Sequence, residues 1–289
     1  MNKNLNKLVL GGAQISTNKY GVTNNSSLKK KEIKNILDLA KKNKINFVDT
    51  AKSYKGSEEI IGKSNNKFSI ITKLQKFPNN QPQLEKWITD NVDDSLKKLK
   101  QKKVYGILIH NINKLSHTKL LKIIEVLKKL KHEKKTQFIG ISIYDPKEIS
   151  FFWKDWKPDI IQVPYNILDR RIETSGWLKK LKKYKVKVHI RSIFLQGLLL
   201  SPKNKIPIKV IKLKKVLDNW FSWCKKNNTS PLEECLSFSL KANVDKIIVG
   251  VYSKEELKNL IKNFKLLKNK SKNFPSIKYT NLIDPRKWS

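Results

Sequence analysis

The stretch NFVDTAKSYKGSEEIIGKSNNKFSIITK, residues 46–73, contains two short apolar runs separated by a segment with helical spacing. NFVDT and FSIITK are continuous rather than alternating apolar runs, which is typical of strands buried on both faces. The segment Glu58 to Gly62 between them indicates a short helix. A strand, a helix and a second strand in this order predict a parallel β-α-β unit.

The same alternation continues along the chain. Its eight strand-like runs are KLVLGG, NFVDT, FSIITK, VYGILIH, QFIGIS, DIIQV, VKVHIRS and KIIVG. Helices are predicted over 28–42, 83–100 and 116–131, and after each of the later strands. The alternation predicts an α/β fold, with a closed (β/α)8 TIM barrel as the most economical form. A doubly wound open sheet is the alternative, but it more often holds fewer strands and a glycine-rich first turn.

Composition favours a single domain over residues 1–289, with 270–289 as a C-terminal tail. The chain has 39% apolar residues, enough for one large core, and no Gly/Ser/Pro-rich linker divides it. Apolar runs stay below the roughly 18 residues of a membrane-spanning helix, and the opening MNKNLNKLVLGG lacks a signal-peptide core, so we expect a cytoplasmic protein. Cys224 and Cys235 have no metal-ligand spacing, so neither a disulfide nor a metal site is expected.

The formal net charge of +38 is the feature that would suggest a nucleic-acid or anionic-membrane partner. Only four of the 62 basic residues are arginines, whereas base and phosphate recognition draws heavily on arginine. The lysines form short groups in every helical segment, as at 29–31, 128–131, 179–183 and 212–215. This spread favours solvated outer faces. A basic nucleic-acid-binding protein is the alternative, and it would bind with a steep dependence on salt.

Four polar residues stand at or just after the ends of strand-like runs: Asp49, Tyr54, Lys73 and His110. In a (β/α)8 barrel the carboxyl ends of the strands converge on one rim, where catalytic groups gather. An unperturbed tyrosine has a pKa near ~10, and a neighbouring ammonium such as Lys73 would make Tyr54 a better proton donor. Asp49 would hold Lys73 charged and in place. His110 would orient a substrate carbonyl as a neutral imidazole.

Each of the four also has a structural explanation when it is taken alone. A tyrosine after a strand is usually a packing residue, a strand-end aspartate often caps a helix, and a single histidine is more often structural. Their joint placement favours a proton-transfer site. None of them can supply a hydride, so a cofactor is required. The other histidines, His117, His132 and His189, do not belong to such a set of polar residues and are expected to be structural.

The order and setting of these residues resemble the aldo-keto reductase superfamily over about Leu8 to Phe264. The segments Y-N-I-L-D-R-R-I (165–172) and I-R-S-I-F-L-Q-G-L-L (190–199) resemble a bacterial branch of it. The resemblance rests on the four residues in this order, on the flanking D-T-A and G-S-E-x-x-x-G, and on the strand-end positions. It implies a TIM-barrel oxidoreductase that reduces an aldehyde or ketone to an alcohol with NAD(P)H. NADP(H) is the expected cofactor, with NAD(H) as the alternative. The alternative function is a nicotinamide-binding regulatory module without turnover.

The resemblance also implies cofactor-binding positions on the later strand ends: Ser142, Gln162, Arg191, Gly250, Ser253 and Lys254, with Asn166 in support. Ser142 and Gln162 correspond to groups that hydrogen-bond the nicotinamide carboxamide. Ser253 and Glu256 have capping-box spacing, and backbone amides at such a helix start can receive a phosphate. Lys254 is the basic residue that would read the extra phosphate of NADP. Neither a G-x-G-x-x-G nor a G-x-x-x-x-G-K-[ST] loop is present.

Two positions depart from the family pattern. Ile143 stands where the family often has an asparagine, and Arg191 stands where an aromatic ring commonly stacks on the nicotinamide. A guanidinium plane can also stack, and its charge would disfavour the oxidised cofactor, which favours carbonyl reduction. The branch suggests a small, sugar-derived carbonyl substrate. Phe77, Trp87 and Trp288 are candidates for shaping the pocket, as is the loop after the fourth strand.

Overall fold

The computed structural model describes residues 3–16, 28–64, 66–75, 77–78, 82–112, 115–201, 208–267, 271–275 and 282–288. Within them, eight parallel strands close into a barrel in chain order. The strands are β1 (Leu8–Gly11), β2 (Phe47–Asp49), β3 (Ser69–Lys73), β4 (Val104–Ile109), β5 (Thr136–Ser142), β6 (Ile160–Pro164), β7 (Lys187–Arg191) and β8 (Lys246–Val249). All eight coincide with the apolar runs, so the predicted (β/α)8 barrel is confirmed.

Helices surround this barrel. They are α1 (Lys30–Lys42), α2 (Ser57–Lys63), α3 (Leu84–Leu99), α4 (His117–His132), α5 (Arg171–Thr174), α6 (Trp177–Lys183), α7 (Lys214–Lys226), α8 (Pro231–Lys241) and α9 (Lys254–Leu266). Their apolar stripes face the strands, as in α1, where Ile33, Ile36, Leu37 and Ala40 are buried. Bounds were predicted for α1, α2, α3 and α4, and each observed helix end lies within two residues of its predicted position.

Pairing between the first and last strands closes the barrel. Leu8 of β1 pairs with Ile247 of β8, and Leu10 pairs with Val249. On the other side of β1, Leu10 pairs with Val48 of β2. Closure leaves no strand with unpaired backbone groups, and this excludes the open doubly wound sheet.

The connection between β5 and β6 differs from the prediction. A 3-10 helix, Pro146–Phe151, stands where an α-helix was expected. Asp145 and Glu148 form a capping box around its first turn, and Pro146 occupies the first helical position. The buried Phe152 and Trp156 that follow fill the space against the barrel. Their side chains therefore replace the apolar face that a longer helix would supply.

Close packing explains the spacing G-S-E-x-x-x-G that follows β2. A Cβ added at Gly62 would lie 2.0 Å from the carbonyl oxygen of Lys98, so α2 can approach the end of α3 only without a side chain there. Ser57 is fully buried and donates to the carbonyl of Gly12 at 2.9 Å. Glu58 is also buried and accepts a 2.6 Å hydrogen bond from the Thr72 hydroxyl. These contacts fix the loop that carries Tyr54.

The described parts of the C-terminal tail pack on the barrel. Buried Glu234 of α8 accepts hydrogen bonds from the Ser271 hydroxyl and from the amide of Lys272. The ring of Phe274 packs edge-on against that of Trp220, with centroids 5.2 Å apart. The predicted boundary at residue 270 lies outside the described residues, so the division into one domain and a tail stays a prediction. Within the described ranges, no helix combines the length and the apolar character that crossing a bilayer requires.

Candidate active site

Strand ends bring the predicted residues to one rim of the barrel. Asp49 is the last residue of β2, Lys73 is the last residue of β3, and His110 directly follows β4. Tyr54 lies in the loop between β2 and α2, where its amide donates to the carbonyl of Ala51. Because β2, β3 and β4 are neighbouring parallel strands, their carboxyl ends lie side by side.

The ion pair between Lys73 and Asp49 is buried at this rim. Lys73 Nζ lies 2.6 Å from Asp49 Oδ2, and the two residues are 1% and 5% exposed. Nζ also donates to the carbonyl of Thr50 at 2.9 Å. The other carboxylate oxygen, Asp49 Oδ1, accepts from Gln162 Nε2 at 2.7 Å. Burial lowers the pKa of Lys73 from its ordinary value, while the Asp49 carboxylate acts in the opposite direction.

Tyr54 stands between the ammonium and the imidazole. Lys73 Nζ lies 5.5 Å from the centroid of the Tyr54 ring. The imidazole of His110 meets the same ring edge-on, with centroids 5.9 Å apart and planes at 86°. The four predicted residues therefore form one cluster: acid, ammonium, phenol and imidazole.

His110 is neutral in this setting. Burial lowers its pKa to about 3, and the charges of Lys73 and Arg191 act in the same direction. Its Nδ1 lies 3.2 Å from the hydroxyl of Ser53. This contact occupies Nδ1 and leaves Nε2 for another partner.

A cavity of about 370 Å³ opens beside Tyr54. Its walls come from the loops after β1, β2, β7 and β8: Gly11, Gly12, Ala13, Gln14, Asp49, Tyr54, Arg191, Ser192, Ile193, Phe194, Gln196, Gly197, Leu200, Ser201, Ile248, Val249, Gly250, Tyr252 and Glu256. The segment Ser192–Ser201, hereafter the β7 loop, supplies much of one wall. Ser192, Leu195 and Gln196 have φ values of 58°, 47° and 54°, a region costly for side chains other than glycine and frequent at functional sites.

Ser142 and Gln162 lie behind the cavity wall. They are 2% and 0% exposed, and the Ser142 hydroxyl donates to Gln162 Oε1 at 3.3 Å. Gln162 in turn donates to Asp49, so the two predicted carboxamide ligands hold the acid in place. Asn166 is also buried and donates to the carbonyl of Ser192 at 3.0 Å, which anchors the β7 loop. Arg191 and Gly250 are the predicted cofactor positions that line the cavity.

Carboxylates occupy the start of α9, where a phosphate was expected. The Ser253 hydroxyl accepts from the amide of Glu256 at 3.0 Å, as the predicted cap requires. Glu256 Oε2 accepts from the amide of Tyr252 at 2.7 Å, one residue before the capping-box position. The amide of Lys254 donates to Glu32 of α1 at 2.5 Å. The chain's own oxygens therefore accept from three amides of this turn, those of Tyr252, Lys254 and Glu256.

Arg191 stacks on a ring of the protein itself. Its Cζ lies 4.3 Å from the centroid of the Tyr144 ring, and its Nη2 donates to the carbonyl of Ile143 at 3.0 Å. Arg286, in the C-terminal tail, lies 4.4 Å from the centroid of the same ring. Tyr144 thus interacts with two guanidinium groups, one on the cavity wall and one in the tail.

The sequence did not single out Gln14 or Tyr252 as site residues, and in the segment of β7 and the β7 loop that resembles the family, it singled out Arg191 alone. The signal near Gln14 is weak: two glycines, Gly11 and Gly12, at the end of β1. The aromatic candidates are not among the residues that line the cavity. Phe77 packs on Trp87 with centroids 5.3 Å apart, and Trp288 is buried within the tail. Residues 113–114 of the loop after β4 lie outside the described residues.

Comparisons with known proteins agree with this fold. The model of the aldo/keto reductase family matches residues 7–280. Among solved structures, the aldo-keto reductase AKR11C1 from Bacillus halodurans, in its holo form, is 21% identical, with a TM-score of 0.71 over 90% of this chain and 87% of that one. A protein from Pseudomonas aeruginosa described as a candidate aldo-keto reductase is 17% identical, with a TM-score of 0.65 over 90% and 89%. At these identities the structures show a shared fold. No curated protein sequence matches.

Proposed function

This chain belongs to the aldo/keto reductase family, and we propose that it reduces an aldehyde or ketone to an alcohol with a reduced nicotinamide cofactor. The observation that carries the proposal is the buried ion pair of Lys73 and Asp49 placed against the ring of Tyr54 at the edge of the cavity. An ammonium fixed beside a phenol is the arrangement that proton donation by tyrosine requires.

In this proposal, Tyr54 is the general acid. Its hydroxyl donates a proton to the carbonyl oxygen of the substrate as that oxygen gains negative charge. The ammonium of Lys73 stabilises the phenolate that remains. Asp49 and the carbonyl of Thr50 hold that ammonium at a fixed place, so the site does not reorganise during the reaction.

His110 orients the carbonyl group. Because the imidazole is neutral, one nitrogen donates and the other accepts. The proposal takes the tautomer in which the Ser53 hydroxyl donates to Nδ1 and the proton resides on Nε2, so that Nε2 donates a hydrogen bond to the carbonyl oxygen. Tyr54 and His110 thus both bind the same oxygen, one by transferring a proton and one by polarising the bond.

The donor set of the cavity suits a nicotinamide dinucleotide. Its walls combine glycine backbone at Gly11, Gly12 and Gly250 with the polar side chains of Gln14 and Arg191. A reduced nicotinamide bound there supplies the hydride, which no side chain can supply. We propose that Gly250 and the β7 loop hold the cofactor, while Arg191 lines the cavity beside it and Ser142 and Gln162 fix the rim behind it.

The choice between NADP(H) and NAD(H) depends on the start of α9. Lys254 favours the extra phosphate of NADP(H). The carboxylates of Glu32 and Glu256, which bond to the amides of this turn, disfavour a further negative charge. The proposal therefore includes both cofactors. Fluorescence titration with NADPH and NADH measures the preference.

Replacement of Tyr54 by phenylalanine tests the proposal. We expect Tyr54→Phe to lose turnover by about a thousandfold, since it removes the proton donor, and to bind reduced cofactor with affinity within about twofold of wild type. Tyr184→Phe, at a half-exposed tyrosine that directly follows α6 and does not line the cavity, is the matched control and should keep full activity. Full turnover in Tyr54→Phe would defeat the assignment. Tight cofactor binding by the wild type without reduction of any carbonyl would instead support the regulatory module.

A further inference from the structure

Arg191 brings a positive charge to the cavity wall without a carboxylate partner. Two other arginines form ion pairs: Arg171 with Asp169 at 2.7 Å, and Arg286 with Asp284 at 2.6 Å. In the described part of the chain, no carboxylate oxygen lies within 4.0 Å of the guanidinium of Arg191. A half-buried cation that is left unpaired is costly, so its retention in a cavity calls for an explanation.

The charge of Arg191 reaches the catalytic groups. Burial is the main cause of the lowered pKa values of Lys73 and His110, and Arg191 lowers both further. Arg191 and Tyr54 also line the same cavity, so the guanidinium is near the place where a substrate carbonyl would meet Tyr54. With Lys73 neutralised by Asp49, Arg191 leaves a net positive charge on this side of the cavity.

The guanidinium is also held in a fixed orientation. It donates to the carbonyl of Ile143 at 3.0 Å and more weakly to the Ser192 hydroxyl at 3.4 Å. One face lies on the Tyr144 ring, and Arg286 lies on that ring as well. A guanidinium has five N–H groups, so these two hydrogen bonds leave three unused by the described residues. Preorganised donors of this kind match the two oxygens of a carboxylate or a phosphate.

We propose that Arg191 binds an anionic group of the substrate, so that the preferred substrates are carbonyl compounds that also carry a carboxylate or a phosphate. The inference rests on the proposed carbonyl reduction. A bound anion would offset the unpaired charge and align the carbonyl with Tyr54 and His110. The phosphates of the cofactor are a second source of the same chemistry, and the experiment separates the two.

Matched acid and ester substrates measure the role of Arg191. The probes are succinic semialdehyde and 4-carboxybenzaldehyde, each compared with its methyl ester. We expect the wild type to show at least about a tenfold higher kcat/KM for each acid, mainly through a lower KM, because the guanidinium contact is made in the ground state. In Arg191→Gln this ratio should fall to about one. Arg191→Lys keeps the charge without the planar fork, so it should retain part of the preference for the acid over the ester.

Two further variants test whether the acid preference depends on Arg191 itself or on positive charge in general. Lys147→Gln removes one positive charge from an exposed site three residues beyond Tyr144 and should keep the wild-type ratio of acid to ester. Arg286→Gln leaves Arg191 in place and removes the second guanidinium from the Tyr144 ring, so the ratio should fall by less than in Arg191→Gln. A ratio near one in the wild type would overturn the proposal. An unchanged ratio in Arg191→Gln would overturn it too, and cofactor affinity weakened tenfold in that variant would then identify the cofactor phosphate as the anion.

A binding measurement separates this inference from the proposed function. Calorimetric titration with benzoate needs no turnover, and we expect Arg191→Gln to bind it at least about tenfold more weakly than wild type. If no carbonyl is reduced but benzoate binding depends on Arg191, the proposed function fails and the anion site stands. If carbonyls are reduced but neither benzoate binding nor the acid preference depends on Arg191, the proposed function stands and the anion site fails.

Discussion

At the scale of single residues, Asp49 links the polar cluster to the architecture of the rim. One of its oxygens pairs with Lys73 and the other accepts from Gln162, so the carboxylate is bound from both sides. A buried ion pair is seldom a net source of stability, because desolvation of the two charges offsets their attraction. Its role here is to fix an ammonium beside Tyr54, which a pair of apolar side chains could not do.

His189 is a second buried ionisable residue, and it has no evident role in the chemistry. It is fully buried on β7, and neither ring nitrogen has a hydrogen-bonding partner among the described residues. Burial lowers its pKa to about 3 from an ordinary 6.5. Since the folded state holds this histidine neutral, its contribution to stability is present above about pH 6.5 and is lost as the pH falls towards 3.

We expect His189→Leu to flatten the pH dependence of stability. Below its unfolded pKa, each such histidine makes the free energy of unfolding fall by about 1.4 kcal/mol per pH unit as the pH is lowered. The variant should lose this contribution between pH 6 and pH 5. At pH 7 it should be as stable as wild type or about 1 kcal/mol more stable, since an unpaired polar ring is replaced by an apolar side chain. Urea unfolding at pH 7, 6 and 5 measures both effects. An unchanged slope would show that His189 is protonated equally in both states.

At the scale of helices, lysine takes positions that usually belong to glycine. Lys44, Lys100, Lys134 and Lys185 follow α1, α3, α4 and α6 with φ values of 61°, 53°, 60° and 57°. These left-handed positions end a helix, and glycine favours them because it has no Cβ. The whole chain has only ten glycines. Several helices therefore end with backbone strain.

We expect Lys100→Gly to stabilise the protein by about 1 kcal/mol. The relief of left-handed strain at the end of α3 exceeds the entropy that glycine adds to the unfolded chain. Lys102→Gly is the matched control, since Lys102 is exposed and does not have a positive φ, and it should be neutral or slightly destabilising. Urea unfolding of both variants gives the comparison. Equal effects in the two variants would mean that the strain at Lys100 has no energetic weight.

At the scale of the whole molecule, charge is the dominant feature. The 24 acidic residues could neutralise at most 24 of the 62 basic ones, and described ion pairs such as Lys34–Asp38 and Lys86–Asp90 are exposed. Exposed ion pairs contribute little to stability, whereas a large excess of like charges destabilises the folded state through mutual repulsion. Salt should therefore stabilise the protein, because it screens this repulsion more than it weakens the ion pairs.

We expect the thermal unfolding midpoint to rise on the order of 3 °C between 10 and 300 mM NaCl, as screening weakens the repulsion. Sodium fluoride at equal ionic strength should give the same rise, because screening depends on ionic strength alone. Scanning calorimetry in both salts measures it. A midpoint that falls with salt would show that ion pairs dominate, and a rise with only one of the salts would indicate specific anion binding.

Much of the barrel could be predicted because each strand is a continuous apolar run between polar residues. The proximity of Asp49, Tyr54, Lys73 and His110 could be predicted from the strand ends for the same reason. Other features depend on contacts between distant segments. The Lys254 amide bonds to Glu32, 222 positions away, and the burial of Ser142 and Gln162 depends on Asp49 across the rim. Helix ends without glycine and the short connection after β5 likewise lack a local signal.

The hydrogen bond between Asp49 and Gln162 also sets an order of events in the life of the chain. The two residues are 113 positions apart, so on the ribosome Asp49 and Lys73 emerge long before the strand that carries Gln162 is made. Until β6 docks, the acid has only one of its two partners, and closing so long a loop is slow. The nascent chain can therefore build half a barrel before the rim around Asp49 is complete, and the proposed activity is among the last properties that it acquires.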